Sequence, residues 1–169
     1  IVTGLVGSEM CIRDRLQLEH SAPQEIMYKK FYWYKSGITK TMRDGLKELY
    51  YDIKKNCKIK PGDVILDIGA NDGTFLKYFK KDKIITIGCE PANNLKNELK
   101  KNCHFMINDF WHSKHLKKIP FKYQKLKVVS AIGMFYDLED PSKFIKHAAD
   151  ALDDDGIFVA QLMLSLIHI

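Results

Sequence analysis

The chain has 169 residues, enough to bury one sizeable core, and its 46% hydrophobic and 28% charged residues are an ordinary globular balance. Lysine and arginine exceed aspartate and glutamate by 27 to 21, but the bases are scattered (Lys29, Lys54, Lys80, Lys100, Lys117, Lys127), which argues for a solvated surface rather than a nucleic-acid groove. No apolar run reaches the roughly 20 residues of a membrane helix. The four cysteines, Cys11, Cys57, Cys89 and Cys103, form no C-x-x-C pair, which argues against a zinc site and a disulfide framework and for reduced thiols in a cytoplasm.

Taken in chain order, the first segment reads as foreign. Met10 to Arg15, Met-Cys-Ile-Arg-Asp-Arg, can be encoded by ATG-TGT-ATA-AGA-GAC-AGN. The reverse complement of that stretch encodes Leu-Ser-Leu-Ile-His-Ile, which is 164–169. Two ends related in this way resemble translated sequencing-adapter DNA, so 1–15 and 164–169 are expected to be adapter-derived, and both are set aside before fold reasoning.

Residues 16–58 form a lead-in. Its first part gathers Tyr28, Phe31, Tyr32, Trp33 and Tyr34, which suits an aromatic lid over the core or a loop covering a substrate. Met42, Leu46, Leu49, Tyr50 and Ile53 then recur at helical spacing over 38–56, with Thr39 or Ser36 placed to cap the helix. A Pro-Gly turn at 61–62 opens the remainder, 59–163. There the spacing predicts strands at 63–67, 84–89, 104–107, 126–132 and 156–162. Helices are predicted near 73–81, 92–101, 110–117 and 141–153, the last starting at Asp140-Pro141 and stopping at Gly156. Strands alternating with helices imply an α/β fold, a parallel sheet with helices on both faces.

In such sheets ligands sit beyond the carboxyl ends of the strands. The stretch VILDIGANDGTFLKYF, 64–79, is a strand, a glycine bend and a helix. Gly69 and Gly73 let backbone approach a ligand, but the G-x-G-x-x-G dinucleotide fingerprint is absent, since Asn71 takes the second glycine's place. Asp67 and Asp72 would repel a pyrophosphate; a ligand with a positive end, such as S-adenosylmethionine, would be welcome. Asp72 by itself reads as a surface turn residue. Glu90 ends the second strand, 23 residues after Asp67, where a carboxylate can accept from both ribose hydroxyls. Asp109 and Phe110, after the third strand, could accept from an adenine amino group and pack near its ring. The histidines show no metal-ligand spacing, so no metal is expected.

The pieces VILDIGANDGT, IGCEPANN, NDFW and VVSAIGMFYDLEDPSKFIKHAADALDDDGIFVAQ together resemble class I S-adenosylmethionine-dependent methyltransferases over about 60–163. The resemblance implies a Rossmann-like fold with strand order 3-2-1-4-5, cut before the last two strands. Within the family, LQLEH, FYWYKSGITKTMRD, EPANN and FYDLEDPSKFIK look most like the sugar-nucleotide C-methyltransferases, which act on NDP-deoxy-ketohexoses. That group carries an N-terminal zinc module and a C-terminal domain. The glutamate-histidine catalytic stretch would then lie past Met163, and the chain alone would not turn over.

The resemblance implies roles. Asp67 holds the donor's ammonium, and Gly69, Ala70, Asn71 and Gly73 give close backbone. Glu90, with Pro91 beside it, holds the ribose; Asp109 and Phe110 take the adenine. Ala131 and Ile132 line the donor near its methyl group, and Tyr34, or Tyr32, is the substrate-side tyrosine. Tyr136-Asp137 departs from the histidine of many relatives and leaves the acceptor side open. A small-molecule acceptor, a sugar nucleotide above all, is the expected partner; nucleic acid and membrane are not. The rival readings are a dinucleotide-dependent oxidoreductase or epimerase, a methyltransferase acting on oxygen or nitrogen of another small molecule or RNA, and a non-catalytic fragment.

Overall fold

The computed structural model describes residues 22–162 and two short strands before them, β1 (Cys11–Ile12) and β2 (Arg15–Leu16), which pair antiparallel. The terminal segments read as adapter-derived otherwise lie outside the described residues. So does Met163.

Helix α1 (Lys40–Asn56) begins where the Thr39 hydroxyl accepts from the Met42 N–H at 3.3 Å. Thr39 rather than Ser36 is therefore the cap, satisfying one of the free N–H groups of the first turn. The helix buries Leu46, Tyr50 and Ile53, the stripe its spacing predicts. At its far end the Cys57 N–H donates to the Ile53 carbonyl.

Five parallel strands follow: β3 (Val64–Ile68), β4 (Ile85–Cys89), β5 (Phe105–Ile107), β6 (Leu126–Ile132) and β7 (Leu152–Gln161). Their order in the sheet is β5-β4-β3-β6-β7, which is 3-2-1-4-5 when the five are counted from β3. Every residue of β3 is buried, as a central parallel strand covered on both faces requires. Val64, Leu66 and Ile68 face a layer that includes Phe144 and Ala148 of α4 (Pro141–Ala149). Ile65 faces the opposite layer, with α1 and with Phe75, Leu76 and Phe79 of α2 (Thr74–Lys81). Leu99 of α3 (Lys96–Asn102) closes that second layer.

Three expected elements differ in detail. The second helix of the core opens as a 3-10 turn at Asn93–Leu95 before α3. The helix expected at 110–117 is a 3-10 segment, Ser113–Lys118, held by Leu116 and by Ile119 just after it, both buried. The largest change is at the end. Helix α4 stops at Ala149, and β7 starts at Leu152 rather than 156, because Leu152 pairs with Leu126 and the sheet captures the aspartate run. Gly156 is thus inside a strand, not at a helix stop. The β6–β7 register shifts between Leu126 and Val128, and a Cβ at Gly156 would stand 2.7 Å from the Leu126 carbonyl oxygen. Its missing side chain admits a bulge.

Candidate active site

The bend after β3 is held by the end of β4. The N–H groups of Gly69 and Ala70 both donate to the Cys89 carbonyl, at 2.9 and 3.1 Å. Gly69 (φ +73°) and Asn71 (φ +52°) lie in the left-handed region, which glycine and asparagine tolerate best. A Cβ at Gly69 would come within 3.0 Å of the Met134 side chain.

This bend brings two carboxylates from adjacent strand tips into one cavity of about 570 Å³, a volume in the range of small-molecule sites. Asp67, one residue before the end of β3, is almost fully buried and accepts from the Ser130 hydroxyl of β6 at 2.7 Å. Burial pushes its carboxyl up to about 7, against the Ser130 hydrogen bond and with a further push from Glu90. Glu90, past the end of β4, is also buried. Its Oε2 accepts from the Asn71 N–H at 2.9 Å and its Oε1 from the Ala92 N–H at 2.8 Å. Burial raises its carboxyl, opposed by those two backbone donors. Each oxygen has accepted one hydrogen bond and has capacity for another.

Asp109 and Phe110 form a third wall after β5. The Asp109 Oδ1 accepts from the Phe110 N–H at 3.0 Å, and the Lys29 ammonium stands 3.7 Å from the same carboxylate. The lysine also lies 6.0 Å from the centre of the Phe110 ring.

A strap formed by the lead-in closes the top. The Asn71 Oδ1 accepts from the Ser36 N–H at 3.0 Å, and its Nδ2 donates to the Tyr34 carbonyl at 3.0 Å. Asn94 likewise accepts from the Tyr32 N–H and donates to the Tyr32 carbonyl. Asp72 accepts from the Gly37 N–H at 2.8 Å and, through its other oxygen, from the Thr74 N–H at 3.0 Å. Asp72 is thus buried and fastens the strap to the start of α2, where the sequence suggested an exposed turn residue. Of the aromatic segment, Tyr28, Tyr32 and Tyr34 line the cavity, while Phe31 and Trp33 are exposed rather than packed over the core.

The cavity brings together most of the residues that the sequence singled out. Asp67, Gly69, Ala70, Asn71, Glu90 and Pro91 line its floor; Asp109, Phe110, Ile132 and Tyr34 line its sides. Two do not. Gly73 caps α2 away from the cavity, where a Cβ would meet Asn102 at 2.8 Å and Leu99 at 3.0 Å, so its missing side chain makes room for α3, not for a ligand. Ala131 is fully buried, paired with Ile68 and Ala160 within the sheet. Sequence reasoning gave no role to Trp111 or Met134, and placed Tyr28 only within the aromatic segment and Tyr136-Asp137 only as a departure on the acceptor side; all five line the cavity. The available signal was Gly133 (φ +63°), a glycine directly after a strand tip, which turns Met134 to Asp137 back over the site.

A family model described as "Methyltransferase domain" matches residues 34–168. The chain belongs to this family. No curated protein matches the sequence. The methyltransferase domain has the fold of several solved structures. A SAM-dependent methyltransferase from Geobacter sulfurreducens in complex with S-adenosyl-L-homocysteine is 18% identical at a TM-score of 0.52, covering 82% of this chain and 55% of that one. The mycolic acid cyclopropane synthase CmaA1, complexed with S-adenosyl-L-homocysteine and CTAB, is 17% identical at 0.54, covering 79% and 47%. The plantazolicin methyltransferase BpumL, with a desmethylplantazolicin analogue and S-adenosyl-L-homocysteine, is 17% identical at 0.56, covering 73% and 49%. The domain spans about half the length of these structures. Among the described residues no helix is long and apolar enough to cross a membrane.

Proposed function

We propose that the cavity takes S-adenosylmethionine and that the domain transfers the donor's methyl group to a small molecule. The observation that carries this reading is the pair of buried carboxylates, Asp67 and Glu90, lining one cavity at the tips of adjacent strands beside the Gly69 bend. The residues fit the donor. Asp67, buried and reluctant to ionise, gains most from a cationic partner, and the donor's ammonium supplies one. Glu90 has one acceptor position left on each oxygen for the two ribose hydroxyls. Asp109 accepts from the adenine amino group above Phe110. When bound, the donor supplies an electrophilic methyl group on a cationic sulfur. The domain's task is then to hold donor and acceptor in line and dry. Ile132 and the strap tyrosines serve that end.

For the acceptor, the resemblance of the lead-in and of 135–146 to sugar-nucleotide C-methyltransferases supports a carbon of an NDP-deoxy-ketohexose, with Tyr34 or Tyr32 on its side of the cavity. The division at 58/59, with lead-in and donor-binding core as separate units of sequence, is part of the same reading, as is a cytoplasmic location for its reduced cysteines. Titration calorimetry tests the donor assignment. S-adenosylhomocysteine is expected to bind and NAD not, and Glu90→Gln should weaken the former by roughly 10-fold or more, the worth of a charged hydrogen bond. Tight NAD binding without S-adenosylhomocysteine binding would replace this reading with the oxidoreductase one.

A further inference from the structure

The donor reading uses Asp67, Glu90 and Asp109 and leaves the mouth of the cavity unexplained. There Tyr28 and Tyr32 of the strap stand with Tyr136 and Asp137 of the turn after β6, and all four line the same cavity. The Tyr28 and Tyr32 rings are 5.8 Å apart. Tyr32 joins the two halves: burial raises its phenol, and so do the carboxylates of Glu90 and Asp137. Burial and Asp137 raise Tyr28 in the same way. Both phenols therefore stay protonated at neutral pH and present O–H donors. Asp137 is exposed at the mouth, and partial loss of water on its cavity side raises its carboxyl, with no cation or hydrogen-bond donor among the described residues opposing this. Among the described residues that line the cavity there is no lysine or arginine.

A mouth with hydroxyl donors, one unpartnered carboxylate and no cation suits an oxygen-bearing, uncharged molecule that must lose a proton. We propose that Asp137, in place of the glutamate-histidine stretch that the resemblance puts past Met163, is the proton acceptor of the methylated molecule, and that the part of that molecule entering the mouth is uncharged, its oxygens held by the phenols of Tyr28, Tyr32 and Tyr136. The proposal rests on the methyltransferase reading above. For a ketone, the Asp137 carboxylate takes the proton from the carbon beside the carbonyl, and a phenol O–H donates to the oxygen as negative charge builds there. The electron pair left behind forms the new carbon–carbon bond to the methyl group as the methyl–sulfur bond breaks. That bond's electrons leave on sulfur as a neutral thioether, and the proton passes from Asp137 to solvent at the open mouth. A diphosphate attached to such a molecule finds no cation in the lining and stays outside it.

Proton removal can be read without turnover. The full chain is incubated with S-adenosylhomocysteine and thymidine-diphosphate 4-keto-6-deoxyglucose in deuterated water, and deuterium entering beside the ketone is followed by NMR. Exchange above the rate without protein is expected, and Asp137→Asn should slow it by about 100-fold or more, the usual worth of a general base. The variant removes a charge at an exposed position, so its melting temperature and its affinity for S-adenosylhomocysteine should stay as in the unaltered chain. If S-adenosylhomocysteine fails to bind either protein, the methyltransferase reading falls. If it binds both, then equal exchange in the two, or none in the unaltered chain, overturns the role of Asp137.

Discussion

Asp67 concentrates the chemistry of the site in one residue. Its side chain is almost without solvent and has one hydroxyl donor, so the charged form is disfavoured and its carboxyl stands near 7 instead of near 4. The sign follows from linkage. Between about 4 and about 7 the folded chain keeps a proton there that the unfolded chain has lost, so folding stability falls as pH rises through that window and the full penalty is present above it. Asp67→Asn keeps an oxygen for Ser130 and removes the charge. The variant is expected to melt at a higher temperature than the unaltered protein, with a larger gain at pH 8 than at pH 5. A gain that is equal at the two pH values would mean that burial does not hold the carboxyl up. Part of the difference belongs to the Glu90 charge, which adds to the push on Asp67. Gly73 makes a second test at this scale. With φ +77° and Asn102 2.8 Å from where a Cβ would be, Gly73→Ala should destabilise the fold by about 2 kcal/mol, seen in chemical denaturation. Donor affinity per folded molecule should be preserved.

Among the elements, the strap is the one held by contacts that no local pattern reveals. Its aromatic density was plain in the sequence, but the asparagines that fasten it, Asn71 and Asn94, lie 37 and 62 residues from the carbonyls they meet. Only folding brings them together. Asn94→Ala removes both hydrogen bonds to the Tyr32 backbone. It should speed hydrogen exchange at the Tyr32 amide and proteolytic cutting within 22–37, while protection in β3 and β4 stays unchanged. Equal loss of protection throughout would mean that the strap unfolds only with the core. The strands and α1 were legible because continuous apolar runs and a helical stripe declare themselves over a few residues. The end of α4 was not, since Gly156 reads equally as a helix stop or as a bulge until the carbonyl of Leu126 is placed against it.

At the scale of the whole molecule, the sheet order and the position of the site followed from the alternation of strands and helices together with the family resemblance, and the structure has that order. The donor-side candidates lined up because they sit at strand tips, which a periodicity reading locates well. Asp67, Glu90 and Asp109 are each within two residues of a strand end. The other side of the cavity was legible only in pieces, the aromatic segment and Tyr136-Asp137, because Tyr28 and Asp137, 109 positions apart in the sequence, come to one cavity only in the finished fold. A ligand seated there ties β3, β4, β5 and the strap together, so it should stabilise the molecule as a unit. S-adenosylhomocysteine at 100 times its dissociation constant adds about 2.7 kcal/mol, which for a chain of this size is a rise in melting temperature of roughly 5–10 °C.

A methyl donor that pairs its ammonium with Asp67 drives the proton off that carboxyl. Calorimetry of S-adenosylhomocysteine binding at pH 6.5, repeated in buffers of different ionisation enthalpy, counts the protons exchanged on binding. Pairing ionises a carboxyl that is largely protonated in the free protein, so the unaltered chain should release a substantial fraction of a proton and Asp67→Asn should release distinctly less. Equal proton release by both proteins, or binding with none released, would contradict the account.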